Sequence, residues 1–142
     1  MRRTKLSDED YERLLEFRTG LRTFLAWSKR RAAAAGLAPS QHQLLLAIRG
    51  HAGHRMGPTI GDVAGYLLVK PHSAAELASR AEKAGLIERR SDRDDRRVVR
   101  LRLTSRGQRK LESITEATLH ELDRLGPRLR RVWEGLPSDE DT

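Results

Sequence analysis

The stretch that decides the fold is RRSDRDDRRVVRLRL, residues 89–103. From residue 99 to 103, a valine and two leucines alternate with arginines, which is the two-residue period of a strand with one apolar and one cationic face. Arginines and aspartates fill the segment before it, so the stretch predicts two strands joined by an arginine-rich turn. A stiff hairpin of this kind suits a narrow, negatively charged groove. The alternative is a solvated surface hairpin with internal ion pairs.

Directly before the hairpin, the sequence predicts two short helices joined by a tight turn. The first begins at Thr59, with Asp62 three residues later, and the second extends over residues 71–84 and ends at Gly85. Residues 68–70 form the turn. The buried stripe of the second helix has the spacing i, i+3, i+4, i+7 and consists of Ala74, Leu77, Ala78 and Ala81. Small residues allow close packing, so the polar face of this helix points outward.

Two further helices are predicted before this pair. The first starts at a cap formed by Ser7 and Asp10, ends at Gly36, and carries apolar residues on more than one face. Such a helix usually packs against its own core and against a second partner. The next helix starts near Pro39, where Ser40 and Gln43 are predicted to form a capping box, and it ends at Gly50.

The region after the hairpin predicts a final helix with a nearly heptad apolar seam. The seam consists of Leu111, Ile114, Thr118, Leu122, Leu125, Leu129, Val132 and Leu136. Pro127 lies inside it and lacks a backbone N–H, so we expect a kink or a restart of the helix there. The complete order is therefore helix, helix, helix, turn, helix, hairpin, helix, which is a winged helix-turn-helix. The predicted fold class is mainly α with a small β-hairpin wing.

Composition favours a polyanionic partner. The 142 residues carry 28 Lys and Arg against 20 Asp and Glu, a net charge of +8. Aromatic residues are scarce and absent from the basic hairpin, which disfavours stacking on single-stranded nucleic acid. The chain has no cysteine, so disulfides and thiolate zinc sites are excluded. We find no apolar run of membrane-spanning length and no signal sequence, and we expect a soluble cytoplasmic protein without a membrane partner.

Three motifs in order resemble the MarR family of transcriptional regulators. Residues 59–90 are similar to that family's helix-turn-helix, DRDDRR at 92–97 to its wing signature Asp-x-x-Asp-Arg-Arg, and LTSRG at 103–107 to its Leu-Thr-x-x-Gly helix entry. The match covers residues 37–111 well and the flanking helices in outline. Two positions depart from the family pattern. Ser79 replaces an aspartate that can hold a wing arginine, for which Glu82 or a wing aspartate would substitute, and Ala38 replaces a threonine, so that Ser40 would cap instead.

The resemblance implies a homodimer that binds a pseudo-palindromic DNA site, with half-sites about one helical turn (~34 Å) apart. It implies an N-terminal dimerisation helix at 1–36, a DNA-binding region at 37–104 and C-terminal dimerisation helices at 105–142. The DNA-binding candidates are Thr59, Lys70, His72, Ser73, Glu76, Arg80, Arg93, Arg96 and Arg97. Of these, Glu76 either reads cytosine or pairs with Arg80, and Thr59 holds a phosphate through its hydroxyl and backbone amide. The dimer-interface candidates are Leu14, Phe17, Leu21, Leu122, Leu125, Leu129, Val132 and Trp133.

The function expected from this resemblance is repression of transcription, relieved when a small-molecule effector binds. Trp27 and His42 are candidates for the effector pocket, although interface packing and a partly buried hydrogen-bonded histidine are the simpler interpretations. No residues are arranged as a catalytic set, and we predict no cofactor and no metal site at the loop histidines His51 and His54. The alternative function is a winged-helix protein–protein interaction module, whose basic face meets an acidic partner.

Overall fold

A computed structural model describes residues 5–53 and 55–134 of the chain. These residues form five helices and one two-stranded antiparallel hairpin, which confirms the predicted fold class. In chain order, the helices and strands are α1 (Asp8–Ala34), α2 (Pro39–Gly50), α3 (Ile60–Leu67), α4 (Pro71–Lys83), β1 (Ile87–Ser91), β2 (Val99–Leu103) and α5 (Ser105–Glu134). No helix among the described residues is both long enough and apolar enough to cross a membrane.

Helix α1 has the predicted ends. The hydroxyl of Ser7 accepts the N–H of Asp10 at 3.3 Å, and the Asp10 carboxylate accepts the N–H of Ser7 at 2.9 Å. This reciprocal box satisfies two of the free donors of the first turn. At the other end, Gly36 has φ +76°, and the N–H of Leu37 reaches the carbonyl of Ala32 at 2.9 Å. The left-handed conformation at that position favours glycine.

The start of α2 differs from the prediction. Ala38 is the N-cap, and its methyl group offers no acceptor to the first-turn N–H groups. Half of a capping box remains, since the Gln41 amide oxygen accepts the N–H of Ala38 at 3.0 Å. The predicted box of Ser40 and Gln43, with Ser40 as the cap, is wrong. Pro39 already occupies the first helical position, and Ser40 therefore lies inside the first turn.

The α3–α4 pair forms as predicted. Thr59 caps α3 by accepting the N–H of Asp62 at 3.1 Å. The turn begins at Leu68, the only described residue other than glycine with positive φ (+55°), and its side chain points into solvent. Three alanines of α4 are completely buried, namely Ala74, Ala78 and Ala81. Their small size lets α4 pack closely, so its polar face is turned outward.

The hairpin is attached to the loop that precedes α3. Its register pairs Ile87 with Leu103 and Ser91 with Val99. The N–H of Leu101 donates to the carbonyl of Pro58 at 2.9 Å, so this loop lies along β2 like a short third strand. Gly57 has φ +97°, and a Cβ there would lie 2.1 Å from the Leu101 carbonyl oxygen. Only glycine allows the loop to approach the strand this closely.

Helix α5 joins the winged part of the chain to α1. Its first half contributes the buried Leu111 and Ile114 to the core, and farther along Val132 is also buried. The helix continues through Pro127, so the predicted restart is wrong. Residues 123 and 127 are exposed, and water can therefore satisfy the Asp123 carbonyl that loses its donor to the proline ring. The division into dimerisation and DNA-binding regions stays a prediction.

Candidate nucleic-acid interface

The amino end of α4 presents polar side chains to solvent. Lys70 is the N-cap, His72 in the first turn is exposed, and Ser73 beside it is half-buried. The buried alanine stripe holds these residues on the outer side of the helix. The structure therefore brings three predicted DNA-binding residues together at one accessible helix end, and their contact with bases stays a prediction.

One detail at the start of α3 corrects the sequence prediction. The backbone amide of Thr59 donates to the Asp62 carboxylate at 3.0 Å and is not available for a phosphate. This bond is the largest cause of the lowered pKa of Asp62, which keeps that carboxylate charged. The hydroxyl of Thr59 accepts the Asp62 N–H and can still donate its own proton. Only the hydroxyl remains a candidate for phosphate contact.

Farther along α4, Glu76 and Arg80 face each other across one helical turn. The guanidinium of Arg80 lies 3.9 Å from the Glu76 carboxylate, and both side chains are about 70% exposed (71% and 68%). An exposed pair of this kind stabilises a helix weakly and exchanges partners easily. The structure thus favours pairing over a cytosine contact for Glu76 in the free protein.

The arginines at the wing tip fall into two groups. The guanidinium of Arg97 donates two hydrogen bonds of 3.1 Å to Asp95, and its backbone N–H donates a third of 3.1 Å. These bonds lower the pKa of Asp95. Arg93 and Arg96 are exposed, and neither forms an ion pair or hydrogen bond with any residue in 5–53 or 55–134. Of the three wing arginines predicted to bind DNA, these two are therefore the available cations of the tip.

The turn depends on Asp92, which sequence reasoning did not single out. One carboxylate oxygen accepts the N–H groups of Asp94 and Asp95 at 2.8 and 3.1 Å, and the other accepts Nε of Arg100 at 3.0 Å. Asp92 is only 6% exposed. The Asp94 N–H, then Arg100, lower its pKa. Arg100 also donates to the carbonyl of Gly57 at 3.4 Å and so connects the turn to the loop before α3.

Ser79, which replaces the family's aspartate, still contacts an arginine of the hairpin. Arg89 of β1 donates to the hydroxyl of Ser79 at 2.9 Å, and its Nε lies 3.7 Å from the carboxylate of Glu82. Serine and glutamate on α4 together hold the hairpin arginine, as expected for a substitute acid. The wing is therefore connected to α4 by a charged contact.

The proposed dimer residues divide into two sets. Leu14, Leu21 and Leu122 are 57%, 41% and 39% exposed. A second set, Phe17, Leu125, Leu129 and the buried Val132, lines a cavity of about 210 Å³ between α1 and α5 of the same chain, and Leu21 and Leu122 also line this cavity. The side chain of Trp133 lies outside the described residues. Packing within one chain accounts for the burial of Val132, whereas Leu14 does not line this cavity and stays exposed.

The two effector candidates occupy different settings. His42 is buried in α2, and burial lowers its pKa, so the ring is neutral at physiological pH. Trp27 is half-buried on α1 and stacks on Phe24 with ring centroids 6.2 Å apart. Their role in an effector pocket stays a prediction. Across the described ranges, which omit His54, no three potential metal ligands are grouped.

Comparisons with known proteins agree with this geometry. The family model described as MarR family matches residues 35–98. The crystal structure of a MarR family transcription regulator is 25% identical, covers 94% of this chain and 81% of its own, and superposes with a TM-score of 0.71. A search of curated proteins found no sequence match.

Two further structures share the fold and contain bound molecules. A mutant MepR of S. aureus bound to an oligodeoxyribonucleotide is 21% identical over 96% of this chain and 89% of its own, with a TM-score of 0.63. CouR of Rhodococcus jostii RHA1 bound to p-coumaroyl-CoA is 22% identical over 95% and 85%, with a TM-score of 0.67. At these identities, the likeness shows the fold alone.

Proposed function

Because the chain belongs to the MarR family of winged helix-turn-helix proteins, we propose that it regulates transcription by binding specific sites on double-stranded DNA. We call the region 37–104 the winged lobe. One observation carries the proposal: this lobe contains both the exposed amino end of α4 and the unpaired Arg93 and Arg96 of the wing tip. A helix end reads base edges in the major groove, and guanidinium groups suit the negative potential of a minor groove. Family members are transcription regulators, so no catalytic activity is proposed.

The proposed binding unit is a homodimer. Regions 1–36 and 105–142 would join two copies, and each region 37–104 would place one α4 and one wing on a half-site. Two half-sites about one helical turn (~34 Å) apart match this two-fold arrangement. The exposed leucines of α1 and α5 support it, because they give a second copy an apolar surface to cover.

The proposed mode of regulation is repression that a small molecule relieves. An effector that binds one lobe spacing more tightly than the other would shift the population away from the DNA-binding state. The ligand in CouR shows that a protein of this fold accommodates a small molecule. Trp27 and His42 remain the proposed lining residues of such a pocket between the dimer helices and the lobes.

The test begins with selection of bound duplexes from a random pool, for which we expect a two-fold symmetric consensus. Affinity for that consensus and for random duplexes is then measured by fluorescence anisotropy at several salt concentrations. For Arg96→Ala with Arg97→Ala, we expect about 10- to 100-fold weaker binding to both duplexes and a salt slope reduced by about 2 to 4 per dimer. For His72→Ala or Ser73→Ala, we expect the difference in binding free energy between the consensus and random duplexes to shrink by about 1–3 kcal/mol.

The matched control is Arg106→Ala with Arg109→Ala, which removes the same charge from an exposed face of α5. If the control weakens binding as much as the wing variant, general charge and not the wing explains the affinity. Absence of binding to every duplex at low salt would exclude the DNA function, and the module for an acidic protein partner would then be the better interpretation.

A further inference from the structure

His51 lies at the end of α2 and faces two residues of α3. Its Nδ1 is 2.7 Å from the hydroxyl oxygen of Tyr66, and the two rings meet edge to face with centroids 5.8 Å apart. Its Nε2 is 4.0 Å from the carboxylate of Asp62. Because Asp62 and Tyr66 have the spacing i, i+4, they share one face of α3. One imidazole therefore reaches both turns of this helix.

A single tautomer of the imidazole serves both partners. With its proton on Nε2, the ring accepts the Tyr66 O–H at Nδ1 and carries its own N–H on the nitrogen nearer to Asp62. The Asp62 carboxylate is charged, because its hydrogen bond from the N–H of Thr59 lowers the pKa of Asp62. The side chain of His51 is only 10% exposed, so water has little access to the ring.

Helix α3 has few buried residues of its own to hold it in place. It contains eight residues, of which Val63 and Ala64 are buried. Ile60 and Leu67 are partly buried against the core. Packing supplies most of the stability of so short a helix, so an added contact to a well-anchored neighbour matters for its position. Helix α2 is such a neighbour, since four of its twelve residues are buried.

Any displacement of α3 would be passed on to the amino end of α4. Only Leu68 and Val69 separate α3 from Lys70, the N-cap of α4. The N–H of Val69 donates to the carbonyl of Ala64 at 3.1 Å, which closes the turn. A closed turn of this length leaves no slack between the two helices.

We propose that His51 and Tyr66 are positioning residues for sequence recognition, which fix α3 against the end of α2 and so set the direction in which α4 presents its amino end. Neither residue has to touch DNA for this role. The proposal rests on the DNA-binding function proposed above, and it assigns part of the discrimination between duplexes to a contact outside α4.

The first measurement compares the affinities of the full chain and its variants for the selected consensus duplex and for random duplexes. Tyr66→Phe keeps the aromatic ring and removes only the hydroxyl. His51→Gln keeps a polar group near the position of Nε2 and removes the one at Nδ1. Each should weaken consensus binding about two- to tenfold, the range for one hydrogen bond, and change random binding less than about twofold.

Two matched variants separate positioning from general damage. His51→Asn retains a polar atom bonded to Cγ, where Nδ1 is attached, and should bind the consensus within about twofold of the wild type. His120→Gln makes the same replacement at an exposed histidine of α5 and should also stay within about twofold. Adding Tyr66→Phe to His51→Gln should cost no further affinity, because both changes remove one shared bond.

Hydrogen exchange of the backbone amides, followed by NMR without DNA, tests the contact itself. In Tyr66→Phe and in His51→Gln, we expect the amides of α3 to exchange at least about twofold faster, whereas those of α5 should exchange as in the wild type. This readout separates two kinds of failure. A wild-type chain that binds no duplex overturns the proposed function, whereas unchanged exchange in α3 overturns the role of the contact.

The affinities can overturn the proposal in three further ways. Tyr66→Phe and His51→Gln may leave the consensus affinity unchanged, or weaken both kinds of duplex equally. Consensus binding by His51→Asn as weak as that of His51→Gln would show that a polar group at the place of Nδ1 is not what matters. Additive losses in the double variant would show that the two side chains act separately.

Discussion

Asp92 determines the shape of the wing more than the arginines around it do. Its two oxygens accept three hydrogen bonds that join the turn, β2 and, through Arg100, the loop before α3. The exposed positions of Arg93 and Arg96 follow from this. The fixed turn holds their backbone in place while their side chains stay unpaired. The wing thus combines a buried acid at its base with free cations at its tip.

Replacing Asp92 by Asn should lower the melting temperature at pH 7 by several degrees and weaken binding to any duplex, because an amide cannot offer Arg100 a charge. Folding lowers the pKa of Asp92. Its contribution to the stability of the folded state is therefore present above the unfolded pKa of about 4 and is lost as the pH falls through the folded pKa. The difference in melting temperature between the two proteins should therefore shrink below about pH 4.

The matched control is Asp94→Asn, which removes the same charge from an exposed neighbour. Calorimetry across this pH range compares all three proteins. If Asp94→Asn destabilises as much as Asp92→Asn, or if the Asp92 difference is constant with pH, the carboxylate of Asp92 is not the support of the turn.

The arginine-rich tip could be predicted from the sequence, but not which arginines are free. Acidic and basic residues are so closely interspersed in 92–97 that the sequence is compatible with several different ion pairs. The turn's three-dimensional shape selects Arg97 for Asp95 and Arg100 for Asp92.

Helix boundaries were predictable where the signal is local. Ser7 with Asp10 and Thr59 with Asp62 each place a cap and its partner three residues apart. At α2, the capping pattern of Ser40 with Gln43 overlaps a start at Ala38. The fixed φ of Pro39 suits the first helical position, and this makes Ala38 the N-cap. The continuity of α5 through Pro127 could not be predicted, because it depends on which side of the helix meets water.

Replacing Ala38 by Ser should stabilise the protein by about 1 kcal/mol, because the position already has the extended backbone of an N-cap and lacks only an acceptor. For a chain of this length, that corresponds to a rise of about 2 to 4 °C in melting temperature at a fixed protein concentration. Thermal unfolding followed by circular dichroism measures it.

Ser40→Ala provides the contrast, since Ser40 is exposed within the first turn of α2 and caps nothing. We expect a change within about 0.5 kcal/mol. A large loss at Ser40 with no gain at Ala38 would restore the capping box that the structure rejects.

A single copy of the chain leaves a broad apolar surface in water. Helix α1 is apolar on more than one face, and only one of these faces packs against α5. Its large residues more than 40% exposed are Tyr11, Leu14, Leu15, Leu21 and Leu25. A surface of this kind on a folded chain marks an interaction site, and a second copy is the partner that the proposed function requires.

Replacing Leu14 by Glu should weaken the proposed dimer at least about tenfold, because it would place a charge in a buried apolar contact. Sedimentation velocity over a range of concentrations measures the dissociation constant. Leu68→Glu is the control, because Leu68 is 92% exposed at the α3–α4 turn and away from α1. A wild-type chain that stays monomeric at micromolar concentration, or a Leu14 variant that dimerises normally, would contradict the proposed interface.

The packing of α1 on α5 also fixes an order of events during synthesis. The ribosome makes α1 before every part of the winged lobe, and it makes α5 after them. The helices and strands of the lobe are mostly neighbours in sequence, so much of the lobe can form before α5 is available to pack on α1. During that interval the leucines of the first helix are available to chaperones, and the packing of α1 on α5 forms only after the last helix has emerged.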